Sequence, residues 1–224
     1  MSNKVAVVTG GTSGIGRATA LALKDAGCTV YELSRRAQGV EGLHHISADV
    51  TREESVRAAV EQIMAREGRI DILVNNAGFG ISGAVEFTST EDAKSLFDVN
   101  FFGMVNMNRQ VVPIMREAGH GRIVNLSSVA APVPIPFQTY YSATKAAVNA
   151  YTMALASRRP AGRSGRETTS IRAASAAPWP AWSTTRRPAW TPPEPAAMWP
   201  EWPCGRGATT RCTPSASTIS SSCS

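Results

Sequence analysis

The chain has 224 residues, 43% of them hydrophobic, with four cysteines and a formal net charge of +6. That length is ample for a domain with a substantial core, and no apolar run reaches the roughly 18 residues of a membrane-spanning helix. Residues 1–4 run straight into a short apolar stretch with no cleavage-site pattern, so a cytoplasmic protein is expected. Four scattered cysteines make no disulfide framework.

The charge is unevenly placed. Residues 1–157 carry 14 basic and 14 acidic side chains, whereas residues 158–224 carry nine arginines against three glutamates, which is the entire excess. Residues 158–224 also hold all five tryptophans and ten of the 14 prolines, and no Leu, Val, Phe, Tyr or Lys. Such a segment has little aliphatic surface to set against its ordering entropy and is expected to be mostly irregular. Its arginines form no basic stripe, so nucleic-acid binding is not favoured.

Residues 1–157 alternate between strand and helix patterns. Residues 4–9 form an apolar, β-branched run that ends in glycines, and a helical stretch follows over 14–26. Strands are expected at 28–33 and 43–47, a helix at 53–66 and a strand at 70–74. Ser89-Thr90-Glu91-Asp92 has the pattern of a capping box opening a helix. A helix over 101–117, a strand over 122–126 and an alanine-rich helix over 139–157 complete the series. This alternation predicts an α/β domain, a Rossmann-like doubly wound parallel sheet, over residues 1–157.

Between the first strand and the first helix stands Thr9-Gly10-Gly11-Thr12-Ser13-Gly14-Ile15-Gly16. Glycines let the backbone approach a pyrophosphate, and a helix N-terminus offers unpaired N–H groups. The alternative is an ordinary tight βα turn. On a helix, Tyr141 and Lys145 share one face. A phenol has a pKa near ~10, and a nearby ammonium stabilises its phenolate. Tyr140, in contrast, has the uncharged Thr144 one turn on. His44, His45 and His120 lack partners at metal-ligand spacing and read as loop histidines; Cys204, Cys212 and Cys223 lack paired spacing, so no metal is expected.

The glycine spacing, Asn75-Asn76-Ala77-Gly78, Asn100, Ser128 and Tyr141-Ser142-Ala143-Thr144-Lys145, in this order, resemble the short-chain dehydrogenase/reductase family over about residues 4–157. The resemblance implies hydride exchange between a nicotinamide cofactor and a ketone, aldehyde or alcohol. Tyr141 would be the acid/base, Ser128 the group holding the substrate oxygen, Lys145 the partner of Tyr141 and of the nicotinamide ribose, and Asn100 the anchor of a water relay. Gly10, Thr12, Ser13, Gly14, Ile15, Gly16, Asn76, Ala77, Gly78, Tyr141 and Lys145 would contact the cofactor, with Asp49 and Val50 at its adenine. Where relatives using NAD carry an acidic residue, this chain has Ser34, followed by Arg35 and Arg36. Guanidinium groups attract a 2′-phosphate, so NADP(H) is expected over NAD(H). The alternative is two solvated loop arginines.

Residues 130–137, with three prolines, are expected to wall an apolar substrate pocket, implying a small hydrophobic carbonyl or alcohol. The family further implies a dimer or tetramer through the helices at 101–117 and 139–157. The chain contains no Pro-Gly dipeptide, whereas the family has one after a further strand. The sheet is therefore expected to stop at its fifth strand, with an edge that invites aggregation. The compositional break at residue 158 is what a shifted reading frame in GC-rich DNA produces. A dinucleotide-binding protein with impaired turnover is the rival functional reading.

Overall fold

The computed structural model describes residues 4–156 and, as backbone alone, residues 168–174. The expectations for the rest of residues 158–224, irregular and out of frame, lie outside the described residues. The elements run β1 (Val5–Thr9), α1 (Gly14–Asp25), β2 (Thr29–Ser34), β3 (His44–Ser47), α2 (Glu53–Glu67), β4 (Ile72–Asn75), α3 (Thr90–Phe97), α4 (Gly103–Ala118), β5 (His120–Leu126), α5 (Thr139–Ala156) and β6 (Thr168–Ala174). The strands form one sheet in the order β3-β2-β1-β4-β5-β6, with every pairing parallel.

β1 shows how the sequence specifies this architecture. A central parallel strand is covered on both faces and reads as a continuous apolar run; all five residues of VAVVT are buried. Successive side chains still alternate. Val5 and Val7 join a core with Val56, Val60 and Ile63 of α2 and with Met107, Val111 and Met115 of α4. Ala6 and Val8 join a second core with Ala20 of α1. One strand thus sorts helices onto the two faces of the sheet.

The one difference from the expected sheet is β6. Its backbone pairs in parallel with β5 from His120↔Thr168 to Leu126↔Ala174. Residues 168–174 contain Thr168, Thr169 and Ile171, β-branched residues that suit a strand even without an aliphatic pattern. The edge beyond β5 is therefore paired.

The chain winds outward from β1 through β2 to β3, then crosses back to β4 and on to β5. The order reverses between β1 and β4, and at such a switch point the loops leaving the strand ends open a crevice. Behind it lies a buried polar ladder. Asn75 Nδ2 donates to Asn108 Oδ1 at 3.0 Å and Asn125 Oδ1 at 2.8 Å, and Asn125 Nδ2 donates to Thr152 Oγ1 at 2.9 Å. These bonds tie β4, α4, β5 and α5 together, so the strand ends and α5 keep a fixed relation.

α3 begins at the expected cap: the Ser89 hydroxyl accepts from the Asp92 N–H at 3.0 Å. Between α3 and α4 the helix widens into a π turn, Asp98–Phe102, with Asn100 buried in it. Such turns redirect side chains within a continuous helix.

Candidate functional site

A cleft of about 1450 Å³ opens where the loops after β1, β2, β3, β4 and β5 meet α5. Gly10, Thr12, Ser13, Gly14 and Ile15 line it from the first loop, and Ser34, Arg35 and Arg36 from the second. Asp49 and Val50, then Asn76, Ala77 and Gly78, then Ser128, Tyr141 and Lys145 complete the set. Gly16 and Asn100, singled out with these residues, do not line the cleft; they sit behind it.

The first loop is tied on both sides. The Gly10 N–H donates to the Leu33 carbonyl of β2 at 2.7 Å. Asn76 Nδ2 donates to the carbonyls of Thr9 at 2.9 Å and Gly10 at 3.2 Å. The Thr9 hydroxyl oxygen accepts from the N–H groups of Asn76 and Ala77, each at 3.0 Å. Gly10 has a φ of 67°, a left-handed conformation that disfavours side chains. A Cβ on Gly16 would stand 2.3 Å from Asn76 Nδ2 and 2.4 Å from the Gly10 oxygen. Gly16 thus acts indirectly, by letting α1 close on this knot. Ser13 caps α1 without a side-chain hydrogen bond, so the cleft receives a helix start whose N–H groups suit an anion.

On the next loop the Ser34 hydroxyl is buried without a hydrogen-bond partner, beside the exposed Arg35 and Arg36. A buried polar atom without a partner costs free energy, and a phosphate oxygen would satisfy it. Asp49 lines the cleft from the neighbouring loop after β3. Burial works to raise its carboxyl pKa. Hydrogen bonds from the Thr51 N–H at 2.9 Å and hydroxyl at 2.8 Å, with the charges of Arg35 and Arg52, outweigh that and hold it below the usual range.

α5 carries Tyr141 and Lys145. The Lys145 ammonium donates to the Leu126 carbonyl at the end of β5 at 2.9 Å and lies 5.7 Å from the centre of the Tyr141 ring. Burial pulls its pKa from 10.5 down to about 8. The Ser128 hydroxyl oxygen accepts from the Ala130 N–H at 3.1 Å, which orients it at the cleft wall. The Tyr141 ring passes beside Gly80, where a Cβ would stand 3.7 Å from Cδ2.

Asn100 joins three segments. Its Oδ1 accepts from the Phe79 N–H at 2.9 Å, and its Nδ2 donates to the Phe79 carbonyl at 2.8 Å and to Thr144 Oγ1 at 3.3 Å. Its amide is therefore committed to protein partners and not to the cleft.

The expected substrate wall differs. Residues 130–137 do not line this cleft, whose lining passes from Val129 to Gln138. Val133 and Phe137 are each 67% exposed, and the Phe137 carbonyl instead takes a hydrogen bond from the Gly83 N–H. The structure also adds lining residues that the motifs did not flag, among them Phe79, Gly80, Val129 and Gln138. His44 and His45 are strand residues of β3 and His120 opens β5, so none of the three is a loop residue.

Residues 4–178 match the family described as short chain dehydrogenase, so the likeness runs past residue 157. The chain is 44% identical over 157 residues to the 3-ketodihydrosphingosine reductase of Bacteroides thetaiotaomicron, covering 70% of this chain and 58% of that protein. Among solved structures, a short-chain dehydrogenase from Streptomyces avermitilis superposes with a TM-score of 0.71 at 36% identity, covering 77% of this chain and 64% of the other. The 3-ketoacyl-(acyl-carrier-protein) reductase of Brucella melitensis, complexed with NADH, gives a TM-score of 0.66 at 34% identity, covering 68% and 69%. The chain thus spans somewhat over half the length of the first of these relatives. With its motifs gathered at one switch-point cleft and the match extending over most of its length, the chain belongs to the short chain dehydrogenase family.

Proposed function

We propose that the protein is an NADP(H)-dependent oxidoreductase that interconverts a ketone or aldehyde and an alcohol. The observation that carries this reading is the placement of Tyr141 and Lys145, on one face of α5, in the same cleft as the glycine loop and Ser128. Gly10, Thr12, Ser13, Gly14 and Ile15, at the start of α1, would hold the pyrophosphate, with Gly16 acting through the packing behind them. Ser34, Arg35 and Arg36 would take the 2′-phosphate, with Asp49 and Val50 at the adenine and Asn76, Ala77 and Gly78 closing the other side. When bound, the nicotinamide supplies the hydride or accepts it.

The protein's own residues do the rest. The Ser128 hydroxyl hydrogen-bonds the substrate oxygen and holds the carbonyl in place. Tyr141 gives its proton to that oxygen during reduction and takes one during oxidation. The Lys145 ammonium stabilises the phenolate left on Tyr141 and holds the nicotinamide ribose. Asn100 fixes Phe79 and Thr144 around these groups and so acts as a positioning residue. The cleft favours a small hydrophobic carbonyl or alcohol, with Phe79, Leu126 and Val129 among its lining.

The 2′-phosphate assignment rests on the orphaned Ser34 hydroxyl and its two arginines. Assembly of copies through the helices at 101–117 and 139–157 fits the exposure of Phe102 (50%), at the end of the π turn that leads into α4. Among the described residues no helix is long and apolar enough to cross a membrane, and a cytoplasmic setting agrees with this reading. Two measurements test the function. Fluorescence titration should show tighter binding of NADPH than NADH. Turnover over a panel of carbonyls should be lost in Tyr141→Phe while cofactor affinity stays. A Tyr141→Phe protein as active as the parent would overturn the mechanism; cofactor binding with no parental turnover would select the rival reading of an impaired dinucleotide-binding protein.

A further inference from the structure

Glu32 is completely buried on β2, one strand in from the edge of the sheet, and the mechanism above gives it nothing to do. In the parallel pairing of β2 with β3 it stands directly opposite His45, and its Oε1 meets His45 Nδ1 at 2.5 Å. The other ring nitrogen, Nε2, is 2.9 Å from the Arg36 carbonyl. A carbonyl can only accept, so Nε2 carries a hydrogen and donates it. Nδ1 and the carboxylate must then share one further proton, since two bare acceptors would repel. A buried carboxylate without such a partner is strongly disfavoured. The ring is therefore gripped at both ends.

The loop between β2 and β3 closes onto this pair a second time. A Cβ on Gly39 would stand 2.4 Å from His45 Cβ and 2.9 Å from Glu32 Oε1. Only a glycine lets the backbone lie so close. The loop that carries Arg35 and Arg36 to the cleft is thus fastened at Arg36 by a hydrogen bond and at Gly39 by packing.

We propose that His45 is a positioning residue for cofactor choice: held between Glu32 and the Arg36 carbonyl, it fixes the β2–β3 loop so that Arg35 and Arg36 meet a 2′-phosphate. This rests on the NADP(H) assignment above. Freeing the loop makes binding of the 2′-phosphate bear the ordering entropy of the residues that present it. A cofactor without that phosphate does not use those guanidinium groups and is spared.

The test is the ratio of NADPH to NADH dissociation constants, titrated on the full chain with melting temperatures alongside. His45→Leu should weaken NADPH by about tenfold, the equivalent of immobilising roughly one residue, and leave NADH unchanged. His45→Gln, whose amide can still donate to the Arg36 carbonyl, should recover part of that loss. If His45→Leu does not fold, Gly39→Ala, which pries the loop away without altering any charge, should show the same selective loss. Equal weakening of both cofactors, or an unchanged ratio in the folded variants, overturns the proposal. A parent protein that prefers NADH overturns the NADP(H) assignment and this proposal together; a parent that prefers NADPH, with variants of unchanged ratio, overturns this proposal alone.

Discussion

Lys145 holds its ammonium 5.7 Å from the centre of the Tyr141 ring while donating to the Leu126 carbonyl. Burial lowers its pKa from 10.5 to about 8, so the folded protein disfavours the charged lysine that the proposed chemistry uses. For a cation with a depressed pKa, the unfolded chain binds the proton more tightly. The resulting destabilisation is fully present below about pH 8 and fades as pH rises to 10.5. At about 1.4 kcal/mol per pH unit the penalty is on the order of 3 kcal/mol, reduced by about 1 kcal/mol when the Leu126 carbonyl loses its donor. Lys145→Met should therefore unfold at higher urea than the parent at pH 7 and show a smaller gain at pH 10.5, while losing turnover. A gain of equal size at both pH values would mean that charge burial is not its source.

Asn100 uses both ends of its amide on one residue, accepting from the Phe79 N–H and donating to the Phe79 carbonyl. An aspartate of the same shape keeps the acceptor but turns an oxygen toward that carbonyl. Asn100→Asp should cost about 2–4 kcal/mol, the range for a broken, partly buried network with a new repulsion. Turnover should fall more than cofactor affinity, because Phe79 and Thr144 adjoin Tyr141, the proposed acid/base. Urea unfolding and steady-state kinetics read the two effects separately. Parent-like stability in Asn100→Asp would show that the Phe79 bridge contributes little.

Much of this was legible in the sequence because it depends on local pattern. Val5–Val8 had to be a buried strand, Ser89 had to cap a helix, and each expected strand lies within two residues of its observed bounds. The cleft was legible for the same reason: its motifs sit at strand ends, and a doubly wound sheet brings strand ends together. What stayed hidden depends on pairing between distant segments. His45 gains meaning only when β2–β3 register sets it against Glu32, and no spacing rule reveals that. β6 was hidden because its backbone pairing with β5 does not require an apolar pattern. Residues 130–137 looked like a pocket wall from their apolar content, but the Gly83–Phe137 hydrogen bond anchors them outside the cleft lining.

Gly16 offers a test of how the glycine loop is built. A methyl group there must displace Asn76 Nδ2, which would otherwise be 2.3 Å away, and so break its bonds to the Thr9 and Gly10 carbonyls. Gly16→Ala should lose about 2–3 kcal/mol of stability through overpacking and lost hydrogen bonds. It should weaken NADPH and NADH alike, since the loop is proposed to hold the pyrophosphate that both contain. Differential scanning calorimetry and cofactor titration check the two halves. Selective loss of one cofactor would place the effect elsewhere than at the pyrophosphate.

Arg35 faces opposite demands, because its charge already helps to hold the Asp49 carboxyl ionised. Its side chain is exposed, so its pull on a phosphate is open to screening. Arg35→Ser should weaken NADPH by about tenfold at low ionic strength, and the gap to the parent should narrow near 1 M salt, where charges are screened beyond about 3 Å. NADH should respond little. Arg35→Lys keeps the charge but loses the planar fork, so its NADPH affinity should fall between the two. Affinities measured across a salt series separate these effects. A parent-like NADPH affinity for Arg35→Ser at low salt would leave Arg36 and Ser34 as the phosphate-binding pair.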